Sequence, residues 1–358
     1  MNDAIRMLRY NEIPALQTAL ERDPSMASKP QLVVEAARWG RLEVLKLLVR
    51  GGADLNAAWR GYRPLHSFIQ EKPHADPQDP TRARLKCLDW LLSHGADPEQ
   101  LGAWPLARAV LVAAFAGVPA YVERLLAAGA RLDVFVACAL GDLAHVKRDL
   151  NKNPDFAKCR DVSGLTSLQC CAGSRLGADD ARLQQRLAQI AVLLLDAGAD
   201  LTVKTKSWNH EVDAVNFAVS SGNVEILELL LGRGADATAA LASAVWQQDD
   251  SLAKICLRHG AKPNHAKDAE RPLLNEMVRW GRLRWVLWLL EKGADPNLPD
   301  HRGWTAVHQA ASRGNARMFK ALVDAGGDLH RRNLAGETPI EMANLPTRSV
   351  LSSAASPI

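Results

Sequence analysis

The groups that could do chemistry in this 358-residue chain are ten histidines, six cysteines and forty carboxylates. A zinc site needs His or Cys ligands at close, repeated spacing. His74, His210, His265, His301 and His330 have no His or Cys partner at such a distance. His94 and His259 stand just before a glycine that closes an apolar run, where a donor side chain suits the free carbonyls of a helix end. Cys170 and Cys171 are adjacent on one short helical stretch and point in different directions, so they read as small buried hydrophobes rather than a redox pair. Asp54, Asp97, Asp200, Asp236 and Asp295 each follow Gly-Ala, which assigns them to turns rather than to acid catalysis. No G-x-S-x-G, phosphate loop or post-strand G-x-G-x-x-G occurs. No catalytic residue, metal ligand or cofactor is therefore expected. Tryptophan is more informative: ten of the nineteen aromatic residues are Trp, several sit beside Arg, and Trp and Arg are among the residue types most enriched at binding hot spots.

The elements that must position these residues come from an even, folded composition. Hydrophobic residues make up 47%, far from a disordered chain. With 44 Lys+Arg against 40 Asp+Glu the net charge is +4, which gives little support to nucleic acid or an anionic membrane as partner. Arg-Trp pairs could stack bases, but acidic residues are scattered along the whole chain. The longest uncharged stretch, 109–122, is 14 residues, too short to span a bilayer. The first residues lack a signal-peptide core, and the cysteines show no C-x-x-C pair or secreted-scaffold density. A cytoplasmic location with reduced thiols is expected.

Internal repetition organises the chain. Gly-Ala-Asp or a near variant begins at Gly52, Gly95, Gly129, Gly198, Gly234, Gly260, Gly293 and Gly326, each time after an apolar run patterned as a helix. Asp23-Pro24 and Asn153-Pro154 hold the same place in degenerate form. From 23 to 326 there are nine intervals, with a mean of about 34 residues. About twelve residues before most of these marks stands a second glycine (Gly40, Gly117, Gly141, Gly222, Gly281, Gly314) that breaks one helix from the next.

The segment Asp300-His301-Arg302-Gly303-Trp304-Thr305-Ala306-Val307-His308-Gln309-Ala310-Ala311 resembles the ankyrin repeat pattern D-x-x-G-x-T-P-L-H-x-A-A, with Ala306 at the Pro position. Weaker copies run over Gly61–His66, Asp161–Leu168 and Gly336–Ile340. The resemblance covers about residues 1–345. It implies an all-α solenoid of stacked helix-turn-helix units with short β-hairpin fingers. It also implies that His66 and His308 hydrogen-bond between neighbouring turns, and that finger residues and inner-helix ends line a concave groove where partners bind. The groove positions are Arg38, Trp39, Trp59, Tyr62, Trp208, His210, Arg279, Trp280, Arg302, Trp304 and Arg313. Arg9-Tyr10, Phe115-Ala116 and Trp246-Gln247 also occupy inner-helix ends. Trp90, Trp285 and Trp288 map to outer helices. The segment Arg38–Leu42 is identical to Arg279–Leu283.

The intervals alternate short, long and middling, which implies a triplicated block of three repeats. The expected organisation is one domain over 1–346. It comprises an N-terminal cap at 1–30, blocks at about 31–133, 134–238 and 239–333, and a C-terminal cap at 334–346. Residues 347–358 are expected to form a disordered tail. Short repeats lose most of the finger near 133 and 238, where contact between neighbours should be reduced. Long repeats carry inter-helix inserts at 71–84, Pro-rich and loop-like, and at 173–186, helix-forming in composition. The leading reading is a monomeric, non-catalytic scaffold that binds a protein partner in the groove. The alternative is a small-molecule or hydrolytic site built from the inserts, using His74, Asp76, Asp179 or Asp180. A secreted effector without a cleavable signal stays open beside the cytoplasmic reading.

Overall fold

Apolar runs become helices, many of which end at a glycine in the left-handed region, which only a residue without Cβ enters at no cost. Gly222, at φ 74°, ends the inner helix Ala214–Ser221, and Gly95, at φ 95°, follows the outer helix Pro80–Ser93. The computed structural model describes residues 2–71, 80–102, 106–207, 210–264, 266–267, 271–344 and 346–347. Among them are 21 α-helices and three two-stranded antiparallel ribbons, an all-α repeat architecture with short fingers.

Contacts divide the chain into two units, 1–235 and 236–358. The first holds seven helix pairs, from Asn2–Arg9 with Ile13–Arg22 to Ala214–Ser221 with Val224–Gly232. The second holds three pairs, beginning with Ala237–Gln247 and Asp250–Arg258, and closes on the single turn Pro339–Met342. Inner helices are buried almost all round: Ala109–Ala116 is apolar throughout, and each of Ala109 to Ala114 is buried. Outer helices such as Leu42–Arg50 bury one stripe, here Val44, Leu45 and Leu48. A helix of seven to ten residues is too short to persist alone, so this burial between repeats is what stabilises it.

Two polar ladders set the register between repeats. Near the Gly-Ala-Asp turns, the Asn56 amide donates to the Gly95 carbonyl (2.8 Å) and its oxygen accepts from the Asp97 N–H (2.8 Å). Asn264 does the same toward Gly293 and Asp295, and Asn297 toward Gly326 and Asp328. Further in, the third residue of each of three inner helices reaches the next finger. His66 Nε2 lies 3.0 Å from the Ala107 carbonyl, Gln169 donates to the Val203 carbonyl (2.9 Å), and His308 Nε2 lies 3.2 Å from the Glu337 carbonyl. The interturn role implied for the two histidines is thus present.

Other expectations resolve locally. The Asp of each mark accepts from the N–H two residues on, as Asp54 does from Asn56 and Asp295 from Asn297. The degenerate marks are not glycine turns but short 3-10 helices, Pro24–Met26 and Pro154–Lys158, capped by Asp23 and Asn153. Near 133 the helix Val134–Leu140 follows its mark directly, without a finger. There the buried Arg108 reaches across, pairing with Asp133 at 2.7 Å and Glu99 at 3.7 Å. The 173–186 insert is partly helical: the outer helix Ala181–Asp196 runs 16 residues, capped by Asp180. Of the 71–84 insert, 72–79 lie outside the described residues, as do 348–358.

Two outcomes follow. Gln248 takes the left-handed cap (φ 62°) that glycine holds in other repeats, so Gln248→Gly is expected to stabilise the second unit by about 1 kcal/mol in chemical denaturation. His66 is fully buried, and that burial lowers its pKa from 6.5 to about 4. The unfolded ring therefore takes a proton near pH 6.5 that the folded ring refuses until about pH 4. Stability is lost as pH falls through this window, by about 1.4 kcal/mol per unit from this residue. Urea unfolding between pH 7.5 and 5 should show a steeper pH dependence for the wild type than for His66→Gln.

Candidate partner-binding site

The sequence-selected residues gather into two arrays, one in each unit. In the first unit, finger residues Trp59 and Tyr62 pair across a two-residue turn, with Trp59 N–H donating to the Tyr62 carbonyl (2.8 Å) and the reverse bond at 3.0 Å. Arg60 and Gly61 take φ of 52° and 83°, the tight hairpin turn that matches strand twist. Arg60 lies over the Trp59 ring, 4.8 Å from its centroid. Arg38, at the end of the inner helix Pro30–Arg38, covers the Tyr62 ring at 5.5 Å, donates to Ser67 Oγ and pairs with Glu35 at 3.4 Å. Burial raises the Tyr62 pKa, and the Arg38 charge offsets part of that rise. Trp39 is half-buried beneath Arg9, whose guanidinium sits 5.4 Å from its centroid.

The second array is more exposed. Trp280 follows the inner helix Leu273–Arg279 and is 57% exposed, while Trp246, one repeat earlier, is 44% exposed. Their rings meet edge-to-face at 5.9 Å. Glu276, one turn back on the same helix, fixes the arrangement: it accepts from the Trp280 indole N–H (3.1 Å), from Arg271 (3.0 Å), and pairs with Arg279 at 3.6 Å. The next finger is held by Asp300, whose side chain is only 2% exposed. One carboxylate oxygen accepts from the N–H groups of Arg302 and Trp304 (both 2.9 Å), and the other lies 3.6 Å from Arg271 and 3.5 Å from Arg302. Arg302 in turn covers the Trp304 ring at 4.8 Å. Arg271 thus ties the two carboxylates together, so acids lie beneath and Trp and Arg face outward. Arg313 is exposed at the end of its helix.

Trp208 lies outside the described residues, and His210 is described only as the first residue of the strand His210–Val212. The outer-helix tryptophans pack locally: Trp285 is buried against Trp288, and Trp90 stacks on His94. Glu276, Asp300 and Arg271 were missed by the sequence reading, although Glu276-Arg279-Trp280 at i, i+3 and i+4 marks one helix face.

The family described as "Ankyrin repeats (many copies)" matches residues 273–323, and "Ankyrin repeat" matches 33–59. The chain carries ankyrin repeats. An ankyrin repeat-containing protein of Schizosaccharomyces pombe is 42% identical over 60 residues, 17% of this chain and 29% of that one. The B-cell lymphoma 3 protein homolog of Mus musculus is 29% identical over 151 residues, 42% of this chain and 28% of that protein. The chain therefore spans less than a third of either relative. The crystal structure of the human ASB11 ankyrin repeat domain aligns with 64% of this chain and all of that domain, at 23% identity and a TM-score of 0.47. Ankyrin repeats generally serve as protein–protein interaction modules. Among the described residues of this chain, no helix is long and apolar enough to cross a membrane.

Asp300→Ala removes two buried acceptor contacts and leaves Arg271 and Arg302 without their shared carboxylate. A loss of about 2–3 kcal/mol in denaturant unfolding is expected.

Proposed function

We propose that this chain is a non-catalytic scaffold that grips a segment of a partner protein with the Trp and Arg residues of its inner-helix ends and fingers. These are the positions that line the groove of the ankyrin family. The carrying observation is the Trp246–Trp280 pair, two large exposed aromatics in contact, with the Trp280 indole oriented by Glu276. A ring already held in place loses few rotamers on binding, which is why such residues act as hot spots. Arg279, Arg302 and Trp304 extend the same surface, and Arg38, Trp39, Trp59 and Tyr62 form its counterpart in the first unit. The proposal includes a single repeat domain over 1–346, a monomeric state and a cytoplasmic setting, with no nucleic acid or membrane as partner.

The hydrolytic alternative loses one of its candidates, because the Asp180 carboxylate accepts from the Arg182 and Leu183 N–H groups as a helix cap. His74 and Asp76 lie outside the described residues.

Affinity capture from the native lysate tests the scaffold reading. Trp246→Ala/Trp280→Ala is expected to weaken partner retention by at least about 2 kcal/mol, roughly thirtyfold in Kd, with the thermal transition preserved. Leu287→Ala, which trims an exposed apolar residue of the outer helix Leu283–Glu291, should retain the partner fully. Equal capture by all three proteins would remove the tryptophans from the interface.

A further inference from the structure

Gly173 and Arg175 of the 173–186 insert help to line a cavity in the first unit. Its volume is about 240 Å³, below the ~300–1,000 Å³ of pockets for drug-sized ligands, so it suits one ring rather than an extended molecule. Phe115, Phe217 and Val212 supply its apolar lining, and Ser207, Asn216 and Ser220 its neutral polar lining. The two phenyl rings stand 5.6 Å apart and tilted by 51°.

Gly173 keeps this space open. A Cβ there would come within 2.7 Å of the Phe217 ring and 2.9 Å of the Phe115 ring, so any side chain would displace both. The chain then turns back, and Arg175 donates its backbone N–H to the Ala114 carbonyl (3.0 Å) at the end of the helix that carries Phe115. Gly117 makes room for this approach, since a Cβ on it would lie 3.0 Å from Arg175 Cβ and 3.1 Å from its carbonyl oxygen. Ser221 bonds the Ala172 carbonyl at 2.7 Å and joins the Phe217 helix to the Gly173 helix. Arg175 is exposed and lines the cavity. Among the described residues no carboxylate lines it, and Arg175 forms no ion pair with any of them. An aromatic, water-accessible recess is thus bordered by an exposed arginine that forms no ion pair with any described residue.

We infer that this cavity binds an aromatic ring bearing a carboxylate. The ring packs on Phe115 and Phe217 with tilted geometry, and the carboxylate takes the planar fork of Arg175 in a bidentate pair. The same chemistry is offered by a free aryl carboxylate and by the C-terminal phenylalanine of another chain. The inference does not rest on the partner-grip reading, because none of the cavity's lining residues is among the Trp, Tyr, His and Arg side chains assigned above to partner binding.

Titration of the full chain by NMR or calorimetry with phenylacetate, and with the charge-reversed isostere phenethylamine, tests it. Phenylacetate should bind in the millimolar range and phenethylamine on the order of tenfold more weakly. Arg175→Gln should erase that preference, and Ser220→Trp, at an exposed helix position, should block binding of phenylacetate with the thermal transition unchanged. A pentapeptide ending in Phe, with free and with amidated C-terminus, separates the two sources. Tighter binding of the free-acid peptide than of phenylacetate assigns a chain terminus, and binding of phenylacetate alone assigns a free small molecule. The inference is overturned if phenylacetate fails to bind, if acid and amine bind equally, or if Arg175→Gln leaves the preference intact. Loss of phenylacetate binding with intact partner capture would discard this pocket and leave the scaffold reading standing, and the converse result would do the reverse.

Discussion

A pair of helices of seven to ten residues can neither bury its own apolar face nor satisfy the backbone of the finger beside it, and the rest of the structure follows from that deficit. Apolar burial between neighbours supplies the energy, but it is non-directional and would tolerate sliding. Register comes from side-chain amides and imidazoles, of which His66, Gln169 and His308 are buried and the asparagines lie nearer the surface. Asn56, Asn264 and Asn297 tie one glycine turn to the next, while His66, Gln169 and His308 tie an inner helix to the following finger. Each bond is modest when formed and expensive when left unmade in a buried site. Misregistered repeats within a unit would strand the buried groups among these, which favours one register.

The same economy governs the outward-facing residues. The carboxylates of the second unit, Asp300 buried and Glu276 half-buried, serve the fold first, since Asp300 closes a finger turn and Glu276 sits on an inner helix. In doing so they orient Arg271, Arg279, Arg302 and Trp280. A surface whose cations and indoles are already positioned has less conformational entropy to lose on association. The finger-less step near 133 shows the converse: with no hairpin to bridge the repeats, the buried Arg108 spans the gap between Glu99 and Asp133.

The twin segments Arg38–Leu42 and Arg279–Leu283 show how far local sequence reaches. Both carry Glu four residues before Trp, and both place Arg-Trp at the end of an inner helix before a left-handed glycine. Their tryptophans nevertheless end differently. Trp39 is half-buried under Arg9, and Trp280 stands exposed against Trp246. The distinguishing residue belongs to the preceding repeat and is 30 or more positions away, beyond the reach of any local pattern.

Period, helix pairing, glycine turns and the structural duty of the turn aspartates were legible in the chain itself, because each depends on residues within one repeat and on backbone rules that act locally; the duty of the histidines, which bond across to the next repeat, came only with the family resemblance. The groove candidates could be named by repeat position, but not sorted into covered and exposed, since that depends on what the adjacent repeat places over them. The insert at 173–186 could be read as partly helical from its composition. That its first residues fold back to help line a cavity was decided only in three dimensions, where Gly173, Gly117 and two phenylalanines from different repeats meet. Sequence determines what each unit must leave unsatisfied; packing against neighbours determines which of those needs are met inside the protein and which remain for a ligand.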